Sequence, residues 1–377
     1  MIKKNSILFV RPDYHCSFFY RDEFRKLGWR ADIIIANNYP QDLLYSNKKI
    51  LKSFQIKFEK KNFKILNYFI NRINLILQLF FWLVKFWQYR YHVYYGRPPF
   101  TGSKFELRLI KFFRKKLIYL PSGCHEEETK ENISKLDNGN VCGNCGYFTK
   151  CSDKDNNKNF INIRRYFDMI IETGSINSSQ YLSTHMKYKS VNLNFWREAL
   201  HSYNNDKFKQ KNNLLIFHSS YIKNSGRDLF NKDIKGTQFV IDAVDKLKKE
   251  GHRINFVFHE KIHSSQMRFY QAQADIVIDQ LIYGWWGSTT VESLALGKPT
   301  ICYLRAEWKS FFLKTFPEYK SLPIIEANTK TIYEVLKKVI VDKNYRNQKA
   351  VEAIQFSNLH FNVTSNTKSF INFLEKL

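Results

Sequence analysis

The segment YGWWGSTTVESLALGKPTICYLR, residues 283–305, decides how the second half of this chain folds. The apolar run ADIVID (274–279) comes just before it, and another apolar run, TICYL (300–304), lies at its end. Between the two runs, Thr289 to Leu296 have the spacing of a short helix. The segment therefore predicts a strand, a glycine loop, a helix and a second strand.

Both ends of this helix carry the residues that usually bound one. Ser288 or Thr289 is a suitable N-cap, Gly297 suits a left-handed residue after the last turn, and Pro299 prevents continuation. A helix that begins after a glycine loop, at the carboxyl end of a parallel strand, presents backbone N–H groups and its positive dipole end to a crevice. The pattern predicts an anion site suited to the diphosphate of a nucleotide.

Strands and helices alternate through the second half of the chain. LLIFH (214–218) and INFVFH (254–259) are candidate strands, and the stretches 237–251 and 264–273 are candidate helices. Such alternation predicts an α/β fold with a doubly wound parallel sheet. The first half repeats the theme with candidate strands at 7–10, 31–35, 91–95, 116–120 and 167–172.

A polar segment without periodicity, residues 200–213, separates the two halves and is the expected linker. We therefore expect an N-terminal domain over 1–205, with a cysteine-rich insertion at about 122–160, and a second domain over 206–345. Residues 346–377 contain helical patterns with no following strand. These terminal helices are expected to cross back to the first domain.

The composition is that of a globular protein with a strong positive charge. The 377 residues are 44% hydrophobic and carry a formal net charge of +26. This charge favours an anionic partner such as a membrane surface or a phosphate-bearing substrate, although Lys, Asn, Ile, Phe and Tyr are abundant along the whole chain. No compact basic recognition motif points to nucleic acid. The first apolar run ends at Arg11, too early for a signal peptide, so we expect a cytoplasmic protein, at the inner face of the membrane if it binds one.

The most apolar segment, residues 70–87, is interrupted by Arg72, Asn74, Gln78 and Lys85, and we therefore expect that it does not span a membrane. The polar positions Asn74, Gln78 and Lys85 fall near one narrow stripe of a helix and leave a wide apolar face. That face belongs either to the protein core, which we favour, or to a bilayer surface.

The second half resembles the GT-B glycosyltransferases, and most closely the retaining enzymes that build capsular or other surface polysaccharides. The likeness rests on Lys-Gly-Thr (235–237) and on the glycine loop, glutamate and Gly-Lys-Pro of the opening segment. It covers about residues 214–305 well, and extends weakly to YHVYYGRPPF and KLIYLPSG in the first half. The resemblance implies two Rossmann-like domains facing a cleft, with a nucleotide-sugar donor in the second domain.

The resemblance implies that Glu292 binds the donor ribose and that Lys235, before Gly236, binds the diphosphate. A capping box with Thr289 is the alternative role for Glu292, because the two residues have that spacing. Relatives have a further glutamate eight positions earlier, where this chain has Gly284. Donor binding there would pass to backbone N–H groups around Trp285, Trp286, Gly287 and Ser288, and the further donor-side candidates at strand ends are His218, His259 and Glu260.

The same resemblance implies chemistry without a divalent cation, with Lys235 and the helix start stabilising the leaving diphosphate. The acceptor side would be lined by residues after KLIYLPSG, and the candidates are His125, as a catalytic residue, Glu126 and Glu127. Each of the three is equally suited to a solvated loop.

Four of the six cysteines lie close together, namely Cys124, Cys142, Cys145 and Cys151. Cys-Gly-Asn-Cys is a compact ligand pair, and four thiolates suit a structural zinc in a reducing compartment. Free thiols, an iron–sulfur cluster and a redox pair remain open as alternatives.

The function expected from the sequence is transfer, with retention, of a sugar from a nucleotide-diphosphate sugar to a lipid-linked or polysaccharide acceptor. A nucleotide-sugar epimerase, and a non-catalytic zinc-bearing protein that binds nucleotides, are the alternatives.

Overall fold

We describe a computed structural model of the chain over residues 5–37, 39, 44–46, 50–57, 63–101, 104–121, 130–143, 145, 164–171, 183–184, 189–202, 212–219, 235–259 and 262–377. It contains two parallel sheets, each covered by helices. The prediction of two doubly wound, Rossmann-like domains is confirmed.

The first sheet has the order β3-β2-β1-β4-β5-β6-β7 and is parallel throughout. Its central strands are almost entirely buried, as expected of a parallel sheet with helices on both faces. The strands are β1 (Ser6–Val10), β2 (Arg30–Ile34), β3 (Ile50–Leu51), β4 (Tyr91–Tyr95), β5 (Lys116–Leu120), β6 (Met169–Ile171) and β7 (Ser183–Thr184).

The second sheet has the order β12-β11-β10-β8-β9 and is also parallel. Its strands are β8 (Leu214–Ser219), β9 (Ile254–His259), β10 (Ile276–Ile278), β11 (Thr300–Cys302) and β12 (Ile325–Glu326). The chain leaves β8 towards β9 on one side and later reaches β10 on the other. The crevice between the carboxyl ends of β8 and β10 is therefore the place where such sheets bind ligands.

The α-helices surround both sheets. They are α1 (Cys16–Lys26), α2 (Lys64–Phe86), α3 (Lys104–Phe112), α4 (Lys130–Lys135), α5 (Asn140–Gly143), α6 (Leu193–Arg197), α7 (Thr237–Lys249), α8 (Met267–Gln273), α9 (Ser288–Ala295), α10 (Ala306–Thr315), α11 (Ile332–Val341), α12 (Lys343–His360) and α13 (Val363–Glu375). Short 3-10 turns cover Leu136–Gly139 and Glu198–Leu200.

The last helix, α13, lies on the first domain. Phe370 packs edge-on against Tyr20 and Phe24 of α1, with ring centroids 5.7 Å apart in both pairs. The Thr364 hydroxyl also donates to Glu23 at 3.0 Å. One apolar core consequently runs from the first sheet through α13 to the glycine-loop helix α9.

Helix α2 is oriented opposite to the predicted way. Its polar residue Gln78 faces inward, where it is 5% exposed and accepts a hydrogen bond from the Asn37 amide at 2.7 Å. Trp82 and Phe86 are also buried, but Ile76 and Phe80 are 67% and 66% exposed. The expectation that the wide apolar face belongs to the core is wrong for most of the helix.

By length and composition alone, Ile65–Phe86 would suffice to cross a membrane, and only 17% of its most apolar window is buried. The last turns of α2 are nevertheless part of the first domain, because Trp82 and Phe86 pack in the core on one face of the sheet. The exposed apolar surface is therefore attached to a folded domain at its C-terminal end.

Candidate functional site

A buried carboxylate, Asp279, lies at the start of the glycine-loop helix α9. Its Oδ2 accepts hydrogen bonds from the Gly287 amide at 3.1 Å, the Thr290 amide at 3.2 Å and the Thr290 hydroxyl at 2.6 Å. The N-cap residue is Gly287, and no side chain at that position caps the helix. The prediction that Ser288 or Thr289 is the cap is wrong, because a carboxylate from the end of β10 fulfils that role.

The predicted diphosphate lysine is paired with the same carboxylate. Lys235 Nζ lies 2.5 Å from Asp279 Oδ1 and 3.3 Å from Thr289 Oγ1. Burial alone would raise the pKa of Asp279, but Lys235, Thr290 and Gly287 together lower this pKa below its usual value. An anion does lie between the lysine and the helix start, as the sequence suggested, but it belongs to the protein itself.

Glu292 connects the second domain to the first. Its Oε1 lies 3.1 Å from Nδ1 of His15, just after β1, and its Oε2 accepts from Gln271 Nε2 at 2.7 Å. The capping box with Thr289 is therefore not formed, since Glu292 is 5% exposed and its carboxylate points away from the helix start. The ribose contact of Glu292 stays a prediction.

The seam between the two domains contains several buried polar atoms without a hydrogen-bond partner in the described part of the chain. We call Asp13, His15, Trp196, Gln271 and Glu292 the seam cluster. The atoms without a hydrogen bond of standard geometry are Asp13 Oδ1 and Oδ2, His15 Nε2, Trp196 Nε1 and Gln271 Oε1, and the Tyr95 hydroxyl is close enough to Asp13 to lower its pKa. Each such atom costs about 1–3 kcal/mol when nothing bonds to it. Their concentration at one place indicates a site that a polar molecule completes.

The charges of the seam cluster reinforce this picture. Burial raises the pKa of Asp13, against the lowering effect of Lys189 and His15. For His15 burial would lower the pKa, but Cys16 and the Glu292 carboxylate raise it to about 10, so the imidazole is protonated at neutral pH. An imidazolium held between carboxylates is a donor for hydroxyl oxygens, and the carboxylate of Asp13 is an acceptor for hydroxyl hydrogens.

Gly284 occupies the position at which the resemblance implies a glutamate, and its surroundings exclude a side chain. Its φ is +80°, and a Cβ atom there would lie 2.9 Å from Arg305 Cβ and 3.1 Å from the Arg305 backbone nitrogen. The loop therefore passes too close to Arg305 for any other residue. The loop conformation therefore requires glycine at this position.

The two tryptophans of the loop are packing residues. Trp286 is surrounded by Trp308, Phe312, Phe356 and Phe361, with ring centroids 4.4–6.0 Å away. Trp285 is 8% exposed and lies beneath the Lys189 amino group, 4.8 Å from the ring centroid. Both rings fix the loop between the domains, and a donor contact through their backbone amides stays a prediction.

His218 and Gly236 lie at the same crevice but point into the domain. The His218 ring contacts the Ile278 carbonyl through Nδ1 at 2.9 Å and the Thr237 hydroxyl through Nε2 at 3.0 Å. A carbonyl only accepts, so Nδ1 donates the hydrogen bond to Ile278. Gly236 has a φ of +70°, with Leu281 Cβ 3.0 Å from where its own Cβ would be. Both residues set the start of α7, and their donor contacts stay predictions.

Several predicted residues lie outside the described part of the chain, as does the His259 side chain. They are His125, Glu126, Glu127, Glu260, Cys124 and Cys151. Cys142 and Cys145 are described and half-buried, and the Cys145 amide donates to the Cys142 carbonyl at 3.1 Å. Among the described residues no group of three or more His, Cys, Asp and Glu is placed to hold a metal ion, and the zinc site stays a prediction.

Sequence patterns do not single out Asp13, His15 and Gln271 as site residues, and they mark Asp279 only as the end of a strand. Asp13 and His15 follow the first strand in RPDYHC, at the carboxyl end where α/β proteins place functional loops. Their position after a strand is the signal in the sequence that marks both residues.

Comparison with known proteins gives the fold. No family model matches the chain, and no curated protein matches it. HepE from Anabaena, solved with UDP and glucose, has a TM-score of 0.58 at 13% identity, covering 98% of this chain and 99% of that one. Sucrose-phosphate synthase from Thermosynechococcus elongatus has a TM-score of 0.60 at 9% identity over 99% of both chains. A UDP-N-acetylglucosamine 2-epimerase has a TM-score of 0.54 at 11% identity over 99% of this chain and 96% of that one. The chain therefore has the GT-B fold of its glycosyltransferase neighbours.

We expect the pair of Lys235 and Asp279 to be strongly coupled in stability. Asp279→Asn should lower the free energy of unfolding by about 3 kcal/mol, because it removes one partner of a buried pair. Lys235→Met and the double variant complete a cycle, in which the double variant should lose at least about 1 kcal/mol less than the two single losses combined. Urea unfolding measures the free energy of unfolding of these three variants.

The exposed pair Lys337 and Glu250 is the matched control, and its coupling energy should be below about 1 kcal/mol. Additive losses at Lys235 and Asp279 would contradict the prediction.

Gly284→Ala should destabilise the protein by about 2–5 kcal/mol, the sum of left-handed strain and contact with the Arg305 backbone. Gly251→Ala is the control, because Gly251 also has a positive φ, +91°, but has open space around its Cβ position. It should lose only about 1 kcal/mol. Thermal unfolding of both variants checks this, and equal losses would show that the approach to Arg305 has no cost.

Proposed function

We propose that this protein is a glycosyltransferase that moves a sugar from a nucleotide-diphosphate sugar to a lipid-linked or polysaccharide acceptor. The observation that carries the proposal is the seam cluster, a set of unsatisfied buried polar atoms between two Rossmann-like domains. Its supports are the GT-B fold and the neighbouring HepE, whose structure contains UDP and glucose. A sugar offers several hydroxyl groups, and each of them can both donate and accept a hydrogen bond. These groups could therefore serve as hydrogen-bond partners for the donor and acceptor atoms of the seam cluster.

The seam cluster contains residues from both domains. Asp13 and His15 come from the first domain, and Gln271 and Glu292 come from the second. A sugar beside these residues would receive a hydrogen bond from His15 Nε2 and would donate hydrogen bonds to Asp13 and Gln271. Transfer with retention is the expectation from the family resemblance, and the anomeric configuration of the product, read by NMR, decides it.

On donor binding, Lys235 would form an ion pair with the diphosphate in place of its ion pair with Asp279. In the present arrangement the charges of these two residues cancel, so this pair offers no net positive charge to a phosphate. The amides of Ser288 and Thr289 donate no hydrogen bond within the described residues, and they lie on the first turn of α9. Donor binding would thus exchange one anion for another at the same helix start.

An epimerase acting on a nucleotide sugar is the second candidate, and the seam cluster is the observation that favours it. Such an enzyme needs carboxylates and a histidine around the sugar, and Asp13, Glu292 and His15 are residues of those types. The similarity of fold to a UDP-N-acetylglucosamine 2-epimerase supports the same reading. The two candidates differ in whether an acceptor is required.

The test is incubation of the purified protein with a panel of nucleotide sugars, with and without a membrane lipid extract, followed by measurement of released nucleotide. Asp13→Asn should lower kcat by about 10- to 100-fold with nucleotide affinity nearly unchanged, because it removes a charged hydrogen bond to the sugar. Lys235→Met should instead weaken nucleotide binding by about tenfold.

Asp22→Asn is the control for these variants, since Asp22 is an exposed carboxylate on α1 whose side chain is 52% exposed. Its activity should equal that of the wild type. Isomerisation of the nucleotide sugar without any acceptor would show the epimerase instead. Failure to bind or convert any nucleotide sugar would reject both candidates.

We also propose that the acceptor is reached at a membrane surface through α2. Its exposed apolar side chains include Ile65, Phe69, Ile76 and Phe80. The Asn74 side chain accepts a hydrogen bond from the Ile56 amide at 2.9 Å and donates one to the Ile56 carbonyl at 3.0 Å. These bonds hold the neighbouring Phe54, which is 76% exposed, beside the helix. Exposed aromatic and aliphatic side chains on a protein of net charge +26 suit the anionic cytoplasmic leaflet.

Liposome flotation tests this surface. The wild type should float with anionic vesicles at low salt and less so at high salt, since each Lys or Arg near the surface adds only about 1 kcal/mol. Phe69→Ser/Phe80→Ser should abolish flotation, because both side chains are more than half exposed on α2. Val351→Ser/Leu359→Ser on α12 is the control, with 58% and 66% exposed side chains that should not matter. A wild type that stays in solution with anionic vesicles at low salt would refute the proposal.

A further inference from the structure

A cavity lies at the outer edge of the second sheet, away from the seam cluster. Its volume is about 460 Å³, within the range of small-molecule sites. It opens beside β12, which is separated from β10 and its Asp279 by β11. Four of its thirteen lining residues are lysines, Lys309, Lys320, Lys338 and Lys349, and we call it the lysine pocket.

The lysine pocket has an excess of positive charge. Lys309 pairs with Glu326 at 2.9 Å, and Lys349 pairs with Glu352 at 2.6 Å. Neither Lys320 nor Lys338 forms an ion pair with any carboxylate in the described part of the chain. The pocket therefore retains two cationic groups that are not neutralised.

Two of the four lysine amino groups lie near the ring of Tyr345. Lys338 Nζ lies 4.7 Å and Lys349 Nζ 5.9 Å from the ring centroid of Tyr345. Lys349 is only 8% exposed, so one of these cations is held inside the protein. The rest of the wall is mostly apolar, with Leu304, Leu313, Leu322, Ile324 and Val335.

We propose that the lysine pocket binds a small phosphate ester whose phosphate contacts Lys320 and Lys338 and whose body lies on the apolar wall. Phosphate is the common biological anion with several acceptor oxygens, and lysines bind it as point charges. A wall of leucine, isoleucine and valine side chains gives a carbon-rich body a favourable contact that inorganic phosphate lacks. The pocket is separate from the donor crevice, and this proposal does not depend on the proposed transfer.

The test is calorimetric titration at low salt with phenyl phosphate and with inorganic phosphate. The wild type should bind phenyl phosphate more tightly than inorganic phosphate. Lys320→Ala/Lys338→Ala should weaken phenyl phosphate binding by about tenfold or more, because two charged contacts are lost. Lys314→Ala/Lys343→Ala is the matched control, since these two lysines are exposed nearby, do not line the pocket, and change the net charge equally.

Two further probes identify the source of the ester. Tighter binding of short-chain phosphatidic acid, below its micelle concentration, would indicate a lipid headgroup, and tighter binding of glucose 1-phosphate would indicate a soluble sugar phosphate. Equal affinity of the pocket variant and the control variant for phenyl phosphate would overturn the proposal, as would absence of binding to the wild type. The substituted lysines at the pocket are exposed, and thermal unfolding of both variants verifies that they are folded.

Discussion

The arrangement of the second domain depends on the carboxylate of Asp279. It is fully buried, and it joins the end of β10 to the glycine loop, to the first turn of α9 and to Lys235. Lys235 in turn precedes α7, so one side chain fixes the start of two helices against the sheet. A buried charge is tolerated only when it is paired and hydrogen-bonded, and Asp279 has a cation, two amides and a hydroxyl. The loop conformation, including the tight passage at Gly284, follows from that requirement.

The position of α9 then brings Glu292 to the seam. Because the helix start is capped by Asp279, the carboxylate of Glu292 is not needed there and extends to His15 and Gln271. The contact with His15 links the carboxyl-end loop of the first sheet to the second domain. Around this link lie polar atoms that have no partner among the described residues, while the aromatic residues around Trp286 and α13 hold the two domains together.

Much of this could be predicted from local pattern. The strands YHVYY and KLIYL have the bounds that the sequence predicts, because continuous apolar runs between polar breaks leave little choice in a parallel sheet. The two-residue strands β3, β7 and β12 could not be predicted, since their pairing is set by the neighbouring strand and not by their own residues. The same limit applies to Asp279. Its place after an apolar run marks a strand end, but which helix it caps is decided by the tertiary fold.

In helix α2, hydrophobic periodicity does not predict which face is buried. A narrow polar stripe beside a wide apolar face normally tells which side faces water, and this inference assumes that water is the solvent on the outside. In α2 the Gln78 amide faces the domain, where the Asn37 backbone bonds to it, and the apolar side chains face outward. The pattern is inverted because Trp82 and Phe86 alone are enough to attach the last turns to the sheet. The sequence determines the polarity of each face of α2, but the tertiary contacts of Gln78, Trp82 and Phe86 decide which face packs on the domain.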